Sequence, residues 1–140
     1  MSNCMNVILD KGAYEPIRAH ETDAGLDLRT PVDMEIAPGE SAVVDTGVHV
    51  EIPIGFVGML KSKSGLNVKK GILSEGVIDS GYTGSIVVKL YNHGKETVRI
   101  KAGDKVTQLV ILPIITPRIV YTDRFSDTDR GDHGFGSTGR

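Results

Sequence analysis

The sequence predicts an all-β chain, a distorted jelly roll or β-clip sandwich with at most one short helix, and three observations carry that prediction. Apolar residues recur with a period of two. No stretch keeps a helical apolar rhythm over three turns. Glycine is abundant (17 residues) while tryptophan is absent. Short alternating runs, broken by Gly/Pro turns every ten residues or so, are the pattern of sandwiches, jelly rolls and barrels.

Val32-Asp33-Met34-Glu35-Ile36 alternates, and Ala37-Pro38-Gly39-Glu40 turns. Val48-His49-Val50-Glu51-Ile52 alternates before the turn Pro53-Ile54-Gly55. A short helix is expected near Gly65 to Gly71, where Leu66-Asn67-Val68-Lys69-Lys70 forms a turn or two. The chain is then organised around Gly76 to Gly84, GVIDSGYTG. Val77 and Ile78 lead into Asp79, Asp79-Ser80-Gly81 has turn chemistry, Tyr82 follows, and Gly84 precedes Ile86-Val87-Val88. Asx and Gly between β-formers predict a tight hairpin with a carboxylate and an aromatic ring at its mouth. The same residues also describe a plain surface hairpin whose Asp caps its own turn. Thr97-Val98-Arg99-Ile100-Lys101 alternates before Ala102-Gly103-Asp104, so IAPGE and IKAGD share one turn chemistry.

A length of 140 residues fits one domain with a substantial core, expected over residues 1–122. Residues 123–140 are rich in Gly, Asp, Ser, Thr and Arg, cannot bury a core, and are expected to form a mobile C-terminal arm. The net charge of -2 gives no basic footprint for nucleic acid. A polyanionic ligand must therefore be met by local donors and a cation. The single cysteine, Cys4, excludes an intrachain disulfide and a multi-cysteine metal site, and fits a reducing compartment. The apolar run Leu109 to Ile115 is interrupted by Pro113 and is too short to span a bilayer. The first residues show no basic region followed by an apolar one, so a cytoplasmic protein without membrane contact is expected.

Four further stretches carry chemistry. Ala24-Gly25-Leu26-Asp27-Leu28 sets one acid between two leucines. It reads either as a strand with Asp27 facing water or as a carboxylate reaching a hydrated cation. One acid suffices for Mg²⁺ that keeps its waters and takes other ligands from substrate phosphates. Lys61-Ser62-Lys63-Ser64-Gly65 packs two cations and two hydroxyls before a glycine, which supplies donors for phosphate oxygens or simply a solvated basic loop. In Gly103-Asp104-Lys105-Val106-Thr107-Gln108-Leu109, Gln108 alone reads as a structural amide between strands. The tail Arg130-Gly131-Asp132-His133-Gly134-Phe135-Gly136-Ser137-Thr138-Gly139-Arg140 offers a ring to stack on a flat base and donors for phosphates. It is neither a Walker A loop nor a dinucleotide fingerprint. The four histidines, His20, His49, His93 and His133, show no metal-ligand spacing and read as surface or structural groups.

Together these five stretches closely resemble the motifs of the homotrimeric dUTPase family, in the family's order. AGLDL resembles the first, KSG the second (usually RSG), GVIDSGYTG the third, GDKVTQL the fourth and RGDHGFGSTG the fifth. The resemblance implies a distorted jelly roll and a homotrimer with active sites shared between subunits. It also implies hydrolysis of dUTP to dUMP and pyrophosphate with Mg²⁺ as cofactor. By the same carry-over, Asp79 would position and polarise the attacking water and contact the 3′-OH, and Asp27 would hold Mg²⁺ through water. Ser64, Gln108, Arg130, Ser137 and Thr138 would bind the phosphate chain, with Lys63, Gly65 and Gly136 in the same substrate-binding set. The hairpin backbone at Gly76, Val77 and Ile78 would read the uracil edge. Tyr82 would lie against the sugar, and Phe135 would stack on the base. Lys63 stands where the family usually has Arg, which keeps the charge but loses the planar fork. The span from Gly65 to Gly76 is also shorter than in many members.

Three other readings are weaker. dCTP deaminase, a relative with a similar hairpin, carries a catalytic Glu on the following strand, where this chain has Lys89. An ammonium does not act as a general base at neutral pH unless its pKa is heavily depressed. A nucleotide-binding relative that acts only through partners is disfavoured by intact Asp27, Asp79 and Phe135. A ligand-free β-sandwich is disfavoured by five motifs in order.

Overall fold

The computed structural model describes residues 4–139; both ends of the expected domain and arm, residues 1–3 and Arg140, lie outside the described residues. Among the described residues nine strands and one helix follow in order: β1 (Asn6–Leu9), β2 (Gly25–Arg29), β3 (Met34–Ile36), β4 (Ser41–Glu51), β5 (Phe56–Lys61), α1 (Ser64–Lys70), β6 (Ile72–Ile78), β7 (Ser85–Asn92), β8 (Val98–Ile100) and β9 (Lys105–Pro113). Seven strands form one curled antiparallel sheet in the order β1-β4-β7-β6-β5-β9-β2, and β3 pairs with β8. The expected all-β architecture with one short helix is what the chain adopts.

The alternation in the sequence becomes a sidedness in the sheet. Along β7, Ile86, Val88, Leu90 and Asn92 are buried while Val87, Lys89 and Tyr91 face out. The core is aliphatic, with Leu28, Ile52, Leu60, Ile72, Leu90 and Leu109 almost fully enclosed. Burying each such side chain contributes roughly 1.5–3 kcal/mol.

The shared turn chemistry of IAPGE and IKAGD has a structural meaning. Glu40 N–H donates to the Ala37 carbonyl at 3.0 Å, and Asp104 N–H donates to the Lys101 carbonyl at 2.9 Å. Gly39 (φ 80°) and Gly103 (φ 92°) occupy the third turn position, where a positive φ is required. The strands leading into these turns, β3 and β8, pair with each other, Ile36 opposite Val98 and Met34 opposite Ile100. Two equivalent corners thus feed the long strands β4 and β9.

Strand β6 is where the curl turns. Its first half pairs with β7 as Ile72↔Asn92, Leu73↔Tyr91 and Ser74↔Leu90. Its second half pairs instead with β5, from Glu75↔Lys61 to Ile78↔Gly58. Strand β7 pairs along its other edge with β4 throughout, from Tyr91↔Ser41 to Val87↔Asp45. The tight hairpin expected at Gly76–Gly84 is therefore an open one: β6 and β7 are joined at the base and parted at the tip. Helix α1 stops at Gly71, whose φ of 73° and N–H to the Asn67 carbonyl (2.8 Å) make a left-handed cap. Among the described residues no strand follows Pro113, and every one from Leu112 onward is exposed.

Candidate functional site

Register builds the first half of the site. Asp27 on β2 lies opposite Gln108 on β9, Gln108 lies opposite Lys61 on β5, and Lys61 lies opposite Glu75 on β6. This row crosses four strands. Asp27 is 4% exposed, so it does not face water, and two ammonium groups cover it. Lys63 Nζ holds its Oδ1, and Lys105 Nζ holds its Oδ2 at 3.1 Å. Burial pushes the Asp27 carboxyl up, yet hydrogen bonds and charge from Lys63 and Lys105 outweigh it and hold the group below its usual value. Lys105 was not singled out in the sequence, where nothing in GDKVTQL ties its ammonium to an acid 78 positions earlier.

Gln108 does act between strands: Nε2 donates to the Ser62 carbonyl at 2.9 Å. A Cβ on Gly25 would sit 2.2 Å from Gln108 Oε1 and 3.0 Å from its Cβ, so a side chain there would displace the amide. Thr107 Oγ1 donates to the Lys61 carbonyl at 3.0 Å and so accepts from Ser74 Oγ at 2.8 Å. Ser62 Oγ accepts from the Ser74 N–H at 3.0 Å. These bonds fix the segment that carries Lys63. Ser64 and Gly65 follow it in the exposed first turn of α1, and Lys63 at the N-cap makes no side-chain cap there.

The second half is the parted hairpin. Gly76, Val77 and Ile78 keep their ladder to β5 on one side, while their edge toward β7 has no strand partner among the described residues. Asp79 is exposed at the tip, where the Tyr82 N–H donates to its carbonyl at 3.0 Å. Tyr82 is fixed in turn: its hydroxyl donates to the Ser85 carbonyl at 2.7 Å, and its ring covers Gly84. A Cβ on Gly84 would lie 2.4 Å from that hydroxyl.

The tail stands apart from both halves. Arg130 turns back on its own segment, with Nε donating to the His133 carbonyl at 2.8 Å and Nη2 to the Gly134 carbonyl at 3.2 Å. Phe135 is fully exposed, and Gly136, Ser137 and Thr138 are exposed beside it. The chain thus brings together Asp27, Lys63 and Gln108, with Ser64 and Gly65 adjoining, and groups Gly76, Val77, Ile78, Asp79 and Tyr82 at the hairpin. Among the described residues, no hydrogen bond or ion pair joins Arg130, Phe135, Ser137 or Thr138 to either group.

No group of three or more His, Cys, Asp or Glu that could cage a metal occurs among the described residues. The donor set fits a different mode of Mg²⁺ binding: one fixed carboxylate, with lysines beside it suited to phosphate oxygens, matches a hydrated ion whose remaining ligands come from a triphosphate. No helix among the described residues is long and apolar enough to cross a membrane.

Fold and site define a jelly-roll protein with a buried carboxylate–ammonium cluster and an acid-tipped, parted hairpin. A family model described as dUTPase matches residues 13–139. A deoxyuridine 5′-triphosphate nucleotidohydrolase from Gloeothece citriformis is 43% identical over 134 residues, covering 94% of this chain and 92% of the relative. One from Clostridium acetobutylicum is 40% identical with the same coverage. The structure of the Staphylococcus bacteriophage 80alpha dUTPase with dUpNHpp superposes with a TM-score of 0.93 at 34% identity, covering 99% of this chain and 100% of that one. A mutant dUTPase from phage phi11 of S. aureus, whose structure is described as revealing coordination of a structural Mg(II) ion, gives 0.82 at 33% identity, over 88% of this chain and 99% of that one. The chain belongs to the dUTPase family.

Proposed function

We infer that this dUTPase hydrolyses dUTP to dUMP and pyrophosphate, keeping uracil out of DNA and supplying dUMP for dTMP synthesis. The observation that carries the reading is the parting of β6 and β7, which leaves a slot edged by backbone with an acid and a fixed ring at its tip.

Uracil suits such a slot because its donor and acceptors can pair with backbone groups along Gly76, Val77 and Ile78. Cytosine would set a donor against a donor and leave buried groups unpaired. The Tyr82 ring is held over Gly84, where it excludes a ribose 2′-hydroxyl by shape. Asp79 accepts a proton from the attacking water and aligns it. Hydrolysis of a triphosphate depends on charge neutralisation and an aligned water more than on a covalent nucleophile. Asp27 would hold Mg²⁺ through water, and the ion would supply neutralisation of the phosphate oxygens. Lys63, Ser64, Gly65 and Gln108 line the phosphate side, and the ammonium groups of Lys63 and Lys105 exchange their hold on Asp27 for phosphate oxygens.

Arg130, Phe135, Gly136, Ser137 and Thr138 complete the site from the arm. The assembly proposed is a homotrimer with shared sites. The wide exposure of Ile115, Ile119, Val120 and Tyr121 supports burial against another copy. We place the enzyme in the cytoplasm. Incubation with Mg²⁺ and each of dUTP, dTTP, dCTP and UTP, with pyrophosphate and ammonia measured, tests the reading. dUTP should be hydrolysed far faster than the other three, and no ammonia should appear. Comparable turnover of UTP removes Tyr82 from its role, and ammonia from dCTP replaces the reaction class.

A further inference from the structure

Strand β4 carries an irregularity between Asp45, opposite Val87, and His49, opposite Ser85. Gly47 within it has a φ of 67°, a conformation that only glycine adopts without strain. Bulges re-aim side chains, and this one brings the His49 ring to the parted hairpin. Nδ1 lies 2.8 Å from the Thr83 carbonyl, between Tyr82 and Gly84, and Nε2 lies 3.0 Å from Asp10 Oδ1. Asp10 is itself anchored, its N–H donating to the Gly47 carbonyl at 2.8 Å. A carbonyl and a carboxylate both only accept hydrogen bonds. The ring therefore needs a proton on each nitrogen to make both contacts, and only the imidazolium has two.

We propose that His49 is a positioning residue of the active site, an imidazolium clamp that ties the Asp79–Gly84 loop to Asp10 and releases one of its two bonds on deprotonation. The proposal rests on that loop being the site described above. The charged groups facing the ring are Asp10, in the turn after β1, and Asp45, on β4. Strand β7 presents Ser85, uncharged, whose hydroxyl donates to Asp45. Glu51, next on the same face of β4, is engaged by Asn6 Nδ2 at 2.8 Å. The Thr83 carbonyl, the bond to Asp10 and the two acid charges raise the His49 pKa above its usual value. The sign follows: the clamp is complete below the ordinary value of about 6.5 and is lost as pH rises through the raised one. With one proton left, a ring lone pair faces either the carbonyl or the carboxylate, and the loop loosens.

The test pairs kinetics with a readout that needs no turnover. In wild-type protein with Mg²⁺ and dUTP, kcat/KM should fall through an ionisation above about pH 6.5. His49→Ala should lose that ionisation and run about ten- to a hundredfold low on its acid side, the range for one charged hydrogen bond. His49→Asn, whose amide still reaches the Thr83 carbonyl, should regain activity without the ionisation. NMR titration of the His49 ring should give a pKa above 6.5, lowered in Asp10→Asn, with the Thr83 and Gly84 amides tracking it. A profile unchanged in His49→Ala, or a His49 pKa at or below the ordinary value, overturns the clamp. An inactive wild type, or a fully active Asp79→Asn, instead overturns the site reading and leaves the NMR result to decide whether the tether exists.

Discussion

Asp79 and Asp27 are both acids in dUTPase motifs, yet their surroundings assign them opposite tasks. Asp79 is exposed, with only its backbone carbonyl engaged by the turn, so its carboxylate is free to meet a water. Asp79→Asn keeps the shape and removes the charge; kcat should fall on the order of a hundredfold or more, the range for loss of a general base. Binding of a non-hydrolysable dUTP analogue, measured by calorimetry, should be largely kept. Asp27 is buried between two ammonium groups, and its depressed pKa sets a pH window. Its stabilising contribution is complete above the unfolded value of about 3.9 and is lost as pH falls through the lower folded value. Thermal melts of Asp27→Asn should therefore lie below wild type at neutral pH and converge with it in acid. At position 63 a fork can hold the carboxylate and still offer a second donor. Lys63→Arg should match or exceed wild-type turnover, while Lys63→Ala should reduce it; equal rates in all three would show that the ammonium contributes nothing to the reaction.

At the scale of elements, what was legible in the sequence was local. The corner turns at Gly39 and Gly103, the helix ending at Gly71 and the alternation of β7 each follow from neighbours in the chain. Partner choice was not legible, because a period-two pattern says which face a residue takes but not which strand lies beside it. Ser74 and Gly76 belong to one strand and to two different ladders, so GVIDSGYTG reads as a closed hairpin although the strands part. Burial of Asp27 was hidden for a similar reason: the cations that cover it come from α1's leading edge and from β9. His49 left no mark either, since its partners, Asp10 and Thr83, come from two other connections. The parted geometry depends on close packing behind it. A Cβ on Gly58 would lie 2.7 Å from Ile52 Cδ1, 2.8 Å from Leu109 Cδ1 and 3.2 Å from Ile78 Cβ. Gly58→Ala should destabilise the fold by about 1–3 kcal/mol, the usual cost of overpacking. The denaturant midpoint should drop with an unchanged slope. Because Ile78 leads directly into Asp79, turnover should fall as well.

At the scale of the whole molecule, the body and the tail follow different physics. The body encloses an aliphatic core from Leu28 to Leu109, whereas Phe125 and Phe135 are exposed and, among the described residues, no hydrogen bond ties residues 123–139 to the strands. Gly131, Gly134, Gly136 and Gly139 keep the tail's backbone entropy high, so holding it closed requires a partner. In the function proposed above a bound nucleotide would be that partner, with the base against Phe135 and the phosphates against Arg130, Ser137 and Thr138. Arg130 must then exchange its bonds to the His133 and Gly134 carbonyls for phosphate oxygens, a trade of neutral acceptors for charged ones that favours closure only when the triphosphate is present. Such closure would exclude bulk water and complete the charge clamp. A chain ending after Asp129 should fold and assemble as before, because it loses no core residue, and should lose most of its turnover; Phe135→Ala should lose part of it. Protease should cut the tail readily in the free protein, and a non-hydrolysable dUTP analogue with Mg²⁺ should protect it. Full turnover by the truncated chain, or cleavage undiminished by the analogue, would show that the tail takes no part in closing the site.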